Sequence, residues 1–384
     1  MKDPNDQSSV TRSVDRACAV LLAFKNEREQ LRLGDVAKRT GLDNATVLRI
    51  VRTLTARGLL ERGGSQQYRS RMRLSAERCY TIGYAAQCTE FAFSREVTAS
   101  VTCAAENQGI NLVCVDNRYS RATAIRNAET LIKRGVNLVM EFQTDEKAAP
   151  IISSLYEQAG IPVIAIEIPH PGATFFGADN YKAGLIGGRH LGLAAQEHGG
   201  GEADEILLLE LSKAGPLPAS RLTGILDGVR ETAPQLNQAR IVRLNGNGQF
   251  SRSLEVVRKH LRHTRARRLL VGAINDPSAL GALLAFREAG RNDTCLVMGQ
   301  NASLEARAEM RQPGTRLMGS VAYFPERYGP QLIQLALNIL EQRKTPPAIF
   351  VNHQLVTPQN VDSVYPNDPL LSAASLDSLM LQSV

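Results

Sequence analysis

The sequence predicts an α/β protein in two parts. A small helical head closed by a two-stranded hairpin is followed by a two-lobed body of parallel sheets covered by helices. Three observations carry this. The net positive charge is confined to one end, where residues 1–78 hold 16 Lys and Arg against 9 Asp and Glu, while the remaining residues balance at 29 against 29. That basic segment reads as three consecutive short helices and a hairpin. Beyond residue 80, short apolar runs alternate with amphipathic helical stretches, the rhythm of parallel strands joined by crossover helices.

At 384 residues the chain has room for two or three domains with real cores. The 43% apolar and 22% charged residues are ordinary for a soluble globular protein. The first residues, from Met1 to Gln7, are polar and lack the apolar stretch of a secretory signal. The longest apolar runs, such as 161–166, are strand-sized, too short for a membrane span. A cytoplasmic protein without membrane contact is expected. Cys18, Cys79, Cys88, Cys103, Cys114 and Cys295 form no C-x-x-C pair and match no zinc spacing. Reduced thiols are expected, with Cys103 and Cys114 as small buried hydrophobes.

In the head, residues 13–29 read as a first helix with Val14, Ala17, Cys18, Leu21 and Leu22 at helical spacing. Leu33, Val36 and Ala37 place one face of a second, short helix, which Gly41 stops. Asp43 then suits the N-cap of a third helix over 44–56. Val47, Ile50, Val51 and Leu54 form its core stripe. Ala45, Arg49, Arg52 and Ala56 form another stripe, two arginines flanked by small residues, which suits a helix lying close to a groove floor. Two helices joined by a short Gly-containing turn are a helix-turn-helix, whose second helix enters the major groove. Asn44, Thr46 and Arg49 are the candidate base readers, since Arg can bridge guanine and Asn adenine, and Arg52 lies beside them. After Gly58, residues 59–62 and 68–71 read as the strands of a wing, with Arg62, Arg69, Arg71 and Arg73 placed for phosphates or the minor groove. The segment 10–72 resembles the winged helix-turn-helix of the IclR family. The matching stretches are Ser13-Val14-Asp15-Arg16-Ala17, Leu33-Gly34-Asp35-Val36-Ala37, Thr40-Gly41-Leu42, Thr46-Val47-Leu48-Arg49 and Thr53-Leu54 with Gly58-Leu59-Leu60. Beyond it, the chain does not match that family's usual effector domain.

In the body, strands are expected at 81–86, 111–115, 137–141 and 161–166, then at 205–209, 239–244, 268–273, 295–299 and 316–321. Helices are expected at 95–108, 120–134, 148–159, 220–233, 252–263, 277–289, 303–310 and 326–343. Ligands of such folds sit beyond the carboxyl ends of the strands. Those ends carry residues 87–93, Asp116-Asn117, Glu167, Asp179-Asn180, Asn275-Asp276, Gln300-Asn301 and Tyr323. Amides, a few carboxylates and aromatics suit a polyhydroxylated ligand.

Residues 80–357 resemble the periplasmic sugar-binding proteins of the ribose-binding and LacI-type branch, hence a periplasmic-binding-protein type I domain. Gly177-Ala178-Asp179-Asn180, Arg221-x-x-Gly224-Ile225, Asn275-Asp276-x-x-Ala279-Leu280-Gly281-Ala282 and Met298-Gly299-Gln300 carry the likeness. The resemblance implies ring-stacking roles for Phe91 and Phe93, a hydroxyl-binding role for Glu167, and ligand contacts at Arg221, Phe250, Asn275 and Asn301. It puts Tyr323 at a hinge position near the cleft and counts it as the eighth ligand-binding residue. Ile168 stands where ribose binders often have Arg, and Asn301 replaces an Asp, so neither ribose nor galactose is implied, and a pyranose, another polyol and a less polar metabolite all stay open. Plainer readings stand beside these. Asn275-Asp276 suits a helix cap, Arg221 a structural ion pair, Phe175 and Phe176 core, and His260 and His263 a solvated face.

No P-loop, nucleophile elbow or H-E-x-x-H motif is present and the six histidines do not cluster, so no enzyme, cofactor or metal site is expected. The sequence thus reads as a ligand-responsive transcriptional regulator. Its expected parts are a head at 10–72, a linker at 73–79, lobe 1 at 80–180 and 323–349, lobe 2 at 181–322 and 350–357, and a tail at 358–384. The expected partners are operator DNA, a sugar-like effector and a second copy in a homodimer. Lobe closure about segments near Asp179, Tyr323 and Phe350 would alter the spacing of two heads. The alternatives are a sugar-binding component of an uptake system and a sugar-metabolising enzyme with a basic head.

Overall fold

The computed structural model describes residues 11–24, 29–71 and 80–368. It divides into two compact units between residues 79 and 80. The stretch 73–79, Arg73 with it, and residues 369–384 lie outside the described residues.

The head contains α1 (Arg12–Leu22), β1 (Leu31–Arg32), α2 (Leu33–Thr40), α3 (Asn44–Ala56), β2 (Leu60–Arg62) and β3 (Gln67–Ser70). Gly41 ends α2 with φ 70°, a left-handed conformation that glycine adopts at no steric cost. Asp43 caps α3 by accepting from the Thr46 amide at 2.9 Å. Val20, Phe24, Val36, Val47, Val51, Leu54, Leu60 and Tyr68 close the core. The expected apolar spacing of the first helix holds in part: Leu21 packs against the core, but Val14, Cys18 and Leu22 are exposed, and Val20, Ala23 and Phe24 turn inward instead. The residues before α2 form a third strand, with Leu31 opposite Tyr68, which adds β1 to the wing.

The body begins with β4 (Thr81–Ala86), α4 (Ala92–Asn107), β5 (Asn111–Asp116), α5 (Arg121–Lys133), β6 (Leu138–Glu141), α6 (Ala149–Gln158), β7 (Val163–Ile166) and β8 (Thr174–Gly177). It continues with α7 (Asn180–Gly199), β9 (Glu205–Glu210), α8 (Pro216–Thr232), β10 (Arg240–Asn245), α9 (Phe250–His263), β11 (Leu269–Ala273) and α10 (Asp276–Glu288). Then follow β12 (Cys295–Asn301), α11 (Leu304–Met310), β13 (Leu317–Ala322), α12 (Tyr328–Leu340), β14 (Ala348–Phe350), β15 (Gln354–Val356) and α13 (Val361–Val364). Two six-stranded sheets result, ordered β14-β8-β7-β6-β4-β5 and β10-β9-β11-β12-β13-β15. All pairings are parallel except β13 with β15. Each sheet, with its helices, is one lobe.

The chain passes between the lobes three times, at residues 178–179, 323–327 and 351–353. The first and third passes are stitched by the Asp179 amide, which donates to His353 Nε2 at 3.0 Å. The Tyr323 ring of the second pass lies 4.8 Å from the His353 ring. Burial pushes the His353 imidazole down to about 4, so it is neutral and able to accept. In lobe 2, α7 and α8 touch backbone to backbone: a Cβ on Gly184 would meet the Arg221 carbonyl oxygen at 1.9 Å. Glycine is therefore the residue that permits the contact.

Several expectations need correction. The short strands β8, β14 and β15 carry too little apolar alternation to be read alone. Phe175 and Phe176 are core within β8. Cys103 and Cys114 are exposed rather than buried, one on the outward face of α4 and the other on the edge strand β5. His260 is not solvated; its Nε2 lies 2.6 Å from Glu205, while His263 is exposed.

Candidate functional site

In the head, α3 presents its stripe to solvent: Ala45, Arg49, Arg52 and Ala56 are all exposed. Neither Arg49 nor Arg52 has an ion-pair partner among the described residues. Asn44 is exposed at the first turn. Thr46 is more committed than its position implies, because its hydroxyl donates to Asp43 Oδ2 at 2.7 Å. That bond, with the Thr46 amide, holds the Asp43 carboxyl below its usual range. In the wing, Arg62 is exposed, but Arg69 donates to both oxygens of Glu61 at 3.0–3.2 Å and Arg71 lies 3.7 Å from it. Part of the wing's charge is thus met within the protein.

In the body, the carboxyl ends of both sheets converge on a cavity of about 420 Å³. Phe91 caps α4 and stacks edge-on against Tyr119 with ring centroids 4.9 Å apart; Phe93, in the first turn, meets Phe142 and Tyr328 the same way. Glu167 follows β7 with φ 64°, and Asn301 ends β12 with φ 101°. Two non-glycine residues in this costly region, both lining one cavity, mark a place where backbone strain is held by its surroundings. Glu167 Oε1 accepts from the Tyr328 hydroxyl at 2.7 Å, and burial pushes its carboxyl up.

Arg221, on α8, is buried and bonded to Asn180 Oδ1 through Nε and Nη2 and to the Ile274 carbonyl through Nη1. Its expected structural partner is therefore an amide and a carbonyl rather than a carboxylate. Asn275 both caps α10, accepting from the Ser278 amide at 3.1 Å, and donates to the Gly248 carbonyl at 2.9 Å. The cap reading and the cavity reading hold together for this residue. The rim is bridged between lobes: the Tyr119 hydroxyl donates to the Asn247 carbonyl at 3.2 Å, and Lys213 Nζ lies 3.2 Å from the Tyr119 ring centroid. Burial there pulls the Lys213 ammonium down to about 8. The lobes are closed around the cavity.

Phe91, Phe93, Glu167, Arg221, Phe250, Asn275 and Asn301 all line it. Tyr323 does not. It is buried beneath the wall, where its hydroxyl donates to Gln300 Oε1 at 2.9 Å. The strand that precedes it ends one residue earlier, and the chain is already turning into the other lobe. Sequence reasoning missed Thr144, Leu211, Ala214, Pro218 and Leu280. Leu211 directly follows β9, so its position was readable, but a search for polar strand ends passes over it.

Fold and cavity together define the class: a two-lobed ligand-binding protein carrying a winged helix-turn-helix head. Residues 82–344 match the periplasmic binding protein domain family, and residues 13–64 match the IclR helix-turn-helix domain. The chain belongs to the periplasmic binding protein family, with an IclR-type head. Neither matched family is a catalytic one. The chain is similar to the ribose import binding protein RbsB of Salmonella typhimurium, 25% identical over 259 residues, 66% of this chain and 83% of the relative. Its fold is shared with a solute-binding protein of Actinobacillus succinogenes with bound D-allose, with TM-score 0.65 and 18% identity over 74% of this chain and 99% of that one. A solute-binding protein of Mycobacterium smegmatis with bound glycerol gives TM-score 0.66 and 22% identity over 74% and 96%. Among the described residues, no helix is long and apolar enough to cross a membrane, and no cluster of His, Cys, Asp or Glu is arranged to hold a metal.

Proposed function

We propose that the protein is a ligand-responsive transcriptional regulator of the cytoplasm. The head reads an operator through Asn44, Thr46 and Arg49, with Arg52, Arg62, Arg69 and Arg71 on the phosphates. The body takes up a sugar or related polyol against Phe91, Phe93, Glu167, Arg221, Phe250, Asn275 and Asn301. The observation that carries this reading is one chain holding both an IclR-type third helix with two ion-pair-free arginines and a closed interlobe cavity of about 420 Å³. The sugar class is supported by the ribose-binding relatives. Closure of the lobes about the three crossing segments alters the spacing of two heads in a homodimer. The coupling is reciprocal, so operator binding changes effector affinity by the same factor.

The test uses the full-length chain to select duplexes from a randomised pool, then titrates the selected duplex in the presence of pentoses, hexoses and inositol. The expected result is that a sugar which raises the thermal midpoint also changes DNA affinity, by a factor of about 5–150. Failure to retain any duplex above non-specific binding at fixed salt overturns the DNA arm. A sugar that stabilises the chain but leaves DNA affinity unchanged overturns the coupling.

A further inference from the structure

The cavity's polar groups are fewer in practice than in the sequence. Both functional ends of the Asn275 amide have protein partners, in Gly248 and Ser278. Arg221 has three of its donations committed, to Asn180 and Ile274. Gln87 donates to Thr144 at 2.7 Å across the lobe 1 wall. What remains for a ligand is the Asn301 amide, which bonds to no described residue, with Ser303 and Glu305 after it on the β12 side of lobe 2, together with Glu90, the Glu167 carboxyl and the spare N–H groups of Arg221.

Toward the β10, β9 and β11 side of its sheet, the lobe 2 wall is mostly hydrocarbon. Leu211, Ala214 and Pro218 follow β9, Phe250 begins α9, and Pro277 and Leu280 open α10. Size points the same way. At about 420 Å³ the cavity falls in the range of roughly 300–1,000 Å³ that holds drug-sized ligands. A free monosaccharide would leave its far hydroxyls facing carbon, at the cost of unmet hydrogen bonds.

We propose that the effector is amphiphilic, a polyol or sugar bearing an apolar, ring-sized substituent such as an aryl glycoside. The polyol end meets Glu167, Arg221 and Asn301, and the substituent lies against Phe250, Leu211, Pro218 and Leu280. This inference rests on the sugar-type reading above and narrows it.

The test is isothermal titration of the full-length chain with phenyl β-D-glucoside, phenyl β-D-galactoside and phenyl β-D-riboside, each against its parent free sugar. At least one aryl glycoside is expected to bind roughly tenfold or more tighter than its parent, as burial of a phenyl group provides. Leu211→Ala, and independently Leu280→Ala, is expected to shrink that ratio while changing the parent's affinity little. Parents that bind as tightly as their glycosides, or a ratio unmoved by both variants, overturn the inference and leave the sugar-type reading standing. Free sugars and glycosides that all fail to bind overturn the sugar-type reading itself.

Discussion

The head and the body use arginine in opposite ways. In the head, Arg49 and Arg52 stand on an exposed helix face with no ion-pair partner among the described residues. In the body, Arg221 is buried and bonded to an amide and a carbonyl, and Arg307 is buried against Asp368 with its ring of contacts completed by Tyr365. A guanidinium held in water keeps its attraction for phosphate; one sealed into the protein fixes the shape of its surroundings instead. The difference explains how a body with many arginines can be electrically neutral and still closely organised, while the head carries the whole surplus.

The comparison can be broken most forcefully at Arg307. Its side chain is 4% exposed and that of Asp368 5%. Arg307→Ala leaves a buried carboxylate with only Arg311, and is expected to destabilise the body by about 3–5 kcal/mol in urea unfolding. A loss under about 1 kcal/mol would put Arg307 in the same class as a surface ion pair.

In the head, Arg49→Ala is expected to leave the unfolding midpoint unchanged but weaken operator binding by about 1–3 kcal/mol and relax specificity at one base. Arg52→Ala is expected to weaken all sequences alike and lower the salt slope by about 1. Equal, sequence-independent losses for both variants in mobility-shift titrations would make Arg49 a phosphate contact too.

The hinge gives a pH-dependent test. His353 titrates near 4 in the folded chain against 6.5 ordinarily, so the unfolded chain binds the extra proton between those values. Stability from this group is complete above about 6.5 and is lost as pH falls toward about 4. His353→Asn keeps an acceptor for the Asp179 amide and is expected to show a shallower acid-side decline in thermal midpoint than the native chain. Parallel declines would show that His353 contributes nothing to it.

The smallest effect is expected at Glu61→Gln, which releases Arg69 and Arg71 in the wing. Non-specific DNA affinity and its salt slope should both rise slightly, and an unchanged slope would show that these arginines do not reach phosphate.

Legibility differed between the two units for physical reasons. The third helix of the head was readable to its ends because Asp43, its apolar stripe and Gly58 all act within one or two turns. The first helix was only partly phased because its apolar residues spread beyond one stripe, and contact with Val36 and Val47 turns Val20 and Phe24 inward while Val14, Cys18 and Leu22 stay exposed. Seven of the eight expected cavity residues reached the cavity, since strand ends and their neighbours fall together whenever parallel strands do. Tyr323 missed it because a crossing segment turns its side chain by a backbone path that no local pattern encodes. His260 was read as solvated because its partner, Glu205, is 55 residues away in the chain.

By itself the sequence determined the split of charge, the alternation of strands and helices, and the residue types at the strand ends, because each depends on neighbours close along the chain. Tertiary structure alone decided which polar groups remain open to a ligand. Asn275, Arg221 and Gln87 look alike in a sequence whether or not Gly248, Asn180 and Thr144 have already met their hydrogen bonds. A hydrogen-bonding group has few sites, and only the folded arrangement shows which of them are taken.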